Sequence, residues 1–100
     1  MMAGFIQIIE FKTSRIEEVM KVGQQFDESR QREGDSSSVK VTITADRDRP
    51  DYYLNIVEFE SYEQAMANSE RPETQEFSAK MMELCDGPPK FYNLDIKQVM

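Results

Sequence analysis

Apolar side chains fill the stretch Phe5 to Phe11 with only Gln7 and Glu10 between them, and fill Tyr52 to Phe59 with only Asn55 and Glu58. Runs with apolar residues at both parities predict strands covered on both faces, in the middle of a sheet. The first is predicted over Gly4–Lys12 and the other over Tyr52–Phe59. Val39, Val41, Ile43 and Ala45 instead alternate with Lys40, Thr42 and Thr44, which predicts a half-exposed strand over Val39–Ala45. Tyr92, Leu94 and Ile96 alternate with Asn93, Asp95 and Lys97 in a last strand predicted over Phe91–Val99.

Between the strands the period becomes helical. Ser14 and Glu17 have capping-box spacing, and Ile16, Val19, Met20, Gly23 and Phe26 form one apolar stripe. They predict a helix from Ser14 to about Arg30. A mid-helix glycine costs about 1 kcal/mol against alanine, so Gly23 predicts a close approach of helix to sheet. Ser61 and Gln64 form a second box ahead of Tyr62, Ala65 and Met66. Pro72 ends that helix and opens another, with Phe77, Met81 and Leu84 on its buried face. The Asp86–Gly87–Pro88–Pro89 turn closes it. The polar stretch Arg30–Ser38, containing Gly34, is predicted as a loop, and Asp46–Asp51 as a hairpin connection.

The order β-α-β-β-α-β is that of a ferredoxin-like α+β sandwich with a four-stranded antiparallel sheet ordered 4-1-3-2. Residues 1–100 make one such domain. Helices can cover one face of this sheet. The other face needs a second layer, and a second copy of the chain supplies it most simply, so a homodimer is expected.

A net charge of −7 opposes binding to nucleic acid and to anionic membranes. No segment approaches the ~20 apolar residues of a membrane span, and the first residues lack the pattern of a signal peptide. Cys85 is the single cysteine, so no intrachain disulfide forms, and a reducing, cytoplasmic setting is expected. With no histidine and no trusted carboxylate spacing, no metal site and no cofactor are expected. Glu17 and Glu18 suit the first turn of their helix without a metal.

The remaining candidates are polar groups inside apolar runs. Gln7 and Asn55 lie on strands predicted to be neighbours, and buried amides need a partner in protein, water or ligand. Facing a cavity, they orient a phenol or quinone oxygen or stabilise a developing oxyanion. The plain alternative is that they face each other or a dimer interface. Tyr53 and Tyr92 are candidate proton donors or acceptors, although an ordinary tyrosine, with a pKa of ~10, is a poor base at neutral pH. Phe26, Met66, Phe77 and Met81 are candidate linings of an apolar pocket between helices and sheet, or plain core. Arg47, Arg49 and Arg71 are either an anion-attracting set or solvated surface. Cys85 lacks a histidine base and reads as a small apolar residue.

The stretch Phe59–Glu60–Ser61–Tyr62–Glu63–Gln64–Ala65, then Phe77, then Leu84–Cys85–Asp86–Gly87–Pro88–Pro89, resembles the antibiotic biosynthesis monooxygenase superfamily, and the element order resembles it over almost the whole chain. The resemblance implies a dimeric α+β barrel. It also implies a cofactor-independent monooxygenase-like protein that takes a small aromatic or polyketide-like ligand between sheet and helices. The chain departs from the pattern at Ala67–Asn68–Ser69–Glu70–Arg71, where many catalytic relatives carry a histidine. The heme-degrading branch uses a histidine ligand and a tryptophan, and this chain has neither. The departure keeps open a second expectation, a non-catalytic binding or dimerisation module of the same fold.

Overall fold

The computed structural model describes residues 4–32 and 40–100, the side chains of 29–32 excepted. Its elements are β1 (Phe5–Lys12), α1 (Ile16–Arg32), β2 (Lys40–Ala45), β3 (Tyr52–Phe59), α2 (Tyr62–Glu70), α3 (Pro72–Leu84) and β4 (Lys90–Asp95). The sheet is antiparallel with order β2-β3-β1-β4. This is the expected ferredoxin-like layout, with the two doubly apolar strands at its centre. Of the loop predicted over Arg30–Ser38, residues 30–32 instead continue α1, and residues 33–38, with Val39, lie outside the described residues.

Register assigns the faces. Phe5, Gln7, Ile9 and Phe11 of β1 stand opposite Phe59, Val57, Asn55 and Tyr53 of β3, and side chains directly opposite share a face. This inner face lies under the helices. The outer face carries Ile6 and Ile8 beside Ile56 on β3 and beside Leu94 and Tyr92 on β4. No described helix covers it.

The helix layer is attached to the sheet at two ends. At one end α2 seals the core, where Phe5, Val57, Phe59 and Ala65 are buried together and Met66 packs against them. The Phe5 ring also meets Tyr62 edge-on at 5.4 Å. Gly4 allows β1 to start close to the end of β3, since a Cβ there would lie 2.6 Å from the Glu60 carbonyl oxygen. Ser61 caps α2 as its spacing predicts, its hydroxyl accepting from the Gln64 N–H at 3.2 Å. Arg71, with extended backbone, ends α2 and precedes Pro72 in the first turn of α3.

At the other end Thr13, 0% exposed, joins three elements. Its hydroxyl donates to the Leu84 carbonyl at 2.6 Å and accepts from the Arg15 N–H at 3.0 Å. The Arg15 guanidinium donates to the Glu83 carbonyl at 2.8 Å, and the Asp86 N–H donates to the Lys12 carbonyl at 2.7 Å. The end of β1, the start of α1 and the end of α3 thus form one clamp. Helix α1 begins at Ile16, two residues later than the Ser14–Glu17 box predicts, because Thr13 rather than Ser14 holds the entering turn. The last strand ends at Asp95 rather than Val99.

Thr13→Val keeps the shape and removes both hydroxyl bonds, leaving the Leu84 carbonyl without its donor. The expected loss is about 1–3 kcal/mol, read from denaturant midpoints at constant m-value. A change below about 0.5 kcal/mol, the range of ordinary surface substitutions, would show that the clamp is not structural.

Candidate functional site

Between these two attachments the helices stand off the sheet. A cavity of about 390 Å³ lies there, within the ~300–1,000 Å³ typical of small-molecule sites. Its floor is the inner sheet face, including Ile9, Phe11, Val41, Ile43 and Val57. Its roof includes Met20, Phe26, Phe77 and Met81, with Phe26 and Phe77 stacked at 4.6 Å between ring centroids. A smaller recess continues from it, between Met82, Cys85, Pro89 and Phe91.

Asn55 comes from the centre of the floor. It is 7% exposed, and its Oδ1 is buried without a hydrogen-bond partner among the described residues. Thr74, on the first turn of α3, also lines the cavity and has a buried, unpartnered Oγ1. Buried polar groups are nearly always paired, and an unpaired one costs about 1–3 kcal/mol. Gln7 lines the same floor, and its Nε2 donates to Asn93 Oδ1 at 3.1 Å. The two amides do not pair with each other. Gln7 stands opposite Val57, and Asn55 opposite Ile9. An amide can present either its carbonyl or its NH₂ group, so Asn55 can accept from a ligand hydroxyl or donate to a ligand oxygen.

The other expected site residues divide. Phe26, Phe77 and Met81 line the cavity, whereas Met66 packs into the sealed end beside Ala65. Tyr53 shares the inner face with Asn55 but stacks on Phe11 at 5.8 Å, outside the cavity lining. Tyr92 stands opposite Ile8 on the outer face, so the sheet separates it from Asn55. Arg49 is held by Glu10 at 2.9 Å and Asp46 at 2.8 Å, and it lies over the Tyr52 ring. These bonds hold the Asp46 carboxyl below its ordinary pKa, the Arg49 hydrogen bond being the largest cause. Arg71 pairs with Glu73 at 3.5 Å. The three arginines form no set around the cavity. Burial, followed by the charge of Asp86, pushes the Cys85 thiol up, away from a reactive thiolate. No metal-holding group of His, Cys, Asp or Glu occurs among the described residues.

Sequence reading missed the rim. Gln24 and Asp27 of α1, Asn68 and Ser69 of α2, and Ser78 of α3 border the cavity, and Asp27 is the ionisable group among its described lining residues. Gly23 also needs correction. A Cβ there would meet nothing within 4 Å, so the residue leaves space in the cavity instead of permitting close helix–sheet packing.

No family model and no curated protein sequence matches the chain. Solved structures do. SnoaB, a cofactor-independent oxygenase from Streptomyces nogalater, superposes with a TM-score of 0.79 at 14% identity, over 99% of this chain and 98% of that one. The fold is that of the antibiotic biosynthesis monooxygenases. A candidate antibiotic biosynthesis monooxygenase from Caulobacter crescentus CB15 gives a TM-score of 0.75 at 16% identity, over 96% and 92% of the two chains. A conserved protein from Methanosarcina mazei Go1 gives 0.77 at 10% identity, over 95% of each. At these identities the likeness establishes the monooxygenase fold, and the chemistry must come from the site.

Gly23→Ala removes the helix penalty of glycine and meets no neighbour. It is expected to raise stability by about 1 kcal/mol, measured by denaturant unfolding. A loss of stability would show that the position is packed and that the cavity does not reach it.

Proposed function

We propose that the chain is a cofactor-independent monooxygenase for a small activated aromatic, bound between sheet and helices. The observation that carries this reading is the buried, unpartnered Oδ1 of Asn55 in the floor of an apolar cavity. In such a reaction the substrate loses a proton, and its carbanion passes one electron to O₂. Superoxide and substrate radical then combine, and loss of water converts a CH₂ group to a carbonyl. Asn55, with Gln7 fixed by Asn93, orients the substrate oxygen and stabilises the charge that builds on it. Asp27 replaces Tyr53 and Tyr92 as the candidate proton acceptor, because it lines the cavity and they do not. The solved oxygenase of the same fold supports this kind of chemistry. A second reading, a binding module without chemistry, draws on the placement of the two tyrosines away from the cavity.

The proposal includes a homodimer through the outer sheet face. Ile6, Ile8, Leu54, Ile56 and Leu94 form a contiguous apolar surface there, with Leu94 43% exposed. A patch of this kind marks an interaction site. A two-fold axis through this face would set the same patch of each copy against the other.

Light scattering at micromolar concentration is expected to give twice the 11.7 kDa chain mass, and Ile8→Asp with Leu54→Asp to give the monomer. A wild-type monomer would remove the dimer from the account.

Oxygen uptake with anthrone-type substrates tests the chemistry. Asn55→Leu is expected to lose at least about tenfold in turnover while unfolding at higher denaturant, since removing a buried unpaired acceptor relieves its cost. A ligand at one hundred times its Kd should add about 2.7 kcal/mol of apparent stability. Binding without oxygen uptake would favour the module reading, and no binding would reject the site.

A further inference from the structure

We propose that the cavity takes an aromatic with a short alkyl group on the carbon beside its Asn55-bound oxygen, and that the recess at the end of α3 seats this group. The inference concerns substrate class and rests on the cavity being the ligand site. The recess lies between Met82 and Cys85 at the end of α3, Pro89 and Phe91 at the start of β4, and Ile9 and Phe11 of the floor. Asn55 borders the main cavity and the recess alike. A ligand oxygen held by its buried, unpartnered Oδ1 side therefore sits at the junction of the two spaces. The ring fills the larger space, and the ring position next to that oxygen faces the smaller one.

Size and chemistry limit what enters. The recess measures about 60 Å³, against the ~10–15 Å³ that one water needs, so a chain of about three carbons fits. Its described walls are apolar apart from Asn55 and Ser78. The Cys85 thiol adds no charge, because burial raises its pKa. Lys90, between Pro89 and Phe91, stands opposite Glu10 with its ammonium 5.0 Å from the centre of the Tyr92 ring, on the other face of the sheet from Phe91. Asp86, next to Cys85, is exposed. Met82 and Phe91 are 58% and 53% exposed and present apolar surface to water. An alkyl group laid against them removes that surface from water, and each methylene fully buried contributes roughly fourfold in affinity. A polar arm of the same length gives up its hydration without replacement.

The test compares 1-naphthol, 2-propyl-1-naphthol and 6-propyl-1-naphthol. The last two have the same composition and differ only in where the propyl group stands relative to the oxygen. Binding to the intact protein at pH 7.5 is measured by calorimetry and followed by methyl NMR. The 2-propyl isomer is expected to bind about tenfold or more tightly than the other two. It alone is expected to shift the Met82 methyl resonance, since Met82 lines the recess and is absent from the lining of the main cavity. Equal binding of the two isomers would overturn the inference and leave the ligand site intact, provided that 1-naphthol binds. Tighter binding of the 2-propyl isomer with Met82 unmoved would overturn it too, because the alkyl group would then lie elsewhere. If none of the three binds, the ligand site itself falls, and the inference with it.

Discussion

The structure depends on a helix layer that is fastened to the sheet at its two ends and nowhere firmly between. At one end Ala65 of α2 is buried on Phe5, Val57 and Phe59. At the other, the buried Thr13 hydroxyl ties the end of β1 to the last carbonyl of α3. Hydrophobic burial holds the first attachment and hydrogen bonding in a dry environment the second. Between them α1 and α3 brace each other through the stacked Phe26 and Phe77 rings. They form a roof over the sheet, and the space beneath is the cavity.

This arrangement leaves part of the inner sheet face unfilled and the Asn55 Oδ1 and Thr74 Oγ1 unsatisfied. Both features cost stability in a chain of 100 residues, whose core is thin to begin with. A binding protein accepts such costs because the same groups recover free energy from a ligand. The glycine at position 23 belongs to the same economy, since it weakens its helix and widens the cavity. The outer sheet face has the opposite character. There Ile6, Ile8, Leu54, Ile56 and Leu94 form an apolar patch bordered by Glu10 and Glu58.

Much of the fold was legible because its signals are local. The Ser61 cap, the Pro72 break and the doubly apolar β1 and β3 each fix their element from a few neighbouring residues. Central position in the sheet followed from apolar residues at both parities. The last strand misled for a related reason. Its apolar residues Tyr92 and Leu94 suggest the core side, yet register with Ile8 and Ile6 puts them on the outer face, and register is a property of two strands. Thr13 took the role expected of Ser14 because the end of α3 supplied it with a buried acceptor, a contact between positions 71 residues apart. Asn55 was identifiable as a polar interruption in an apolar strand. Asp27, Gln24 and Thr74 were not, because polar residues on helices have no distinguishing pattern until the fold sets them around one space. Met66 and Met81 have the same chemistry, and only the position of the sealed end separates core from cavity wall.

The central claim is that the space between the two attachments is where a small aromatic binds. Methionine methyl groups report on it directly, because Met20 and Met81 line the cavity while Met66 lies in the sealed core. A methyl NMR titration with a neutral hydroxyanthraquinone should shift the Met20 and Met81 resonances saturably and leave Met66 nearly still. Saturable binding that leaves Met20 and Met81 unmoved, or no binding at all, would contradict the account.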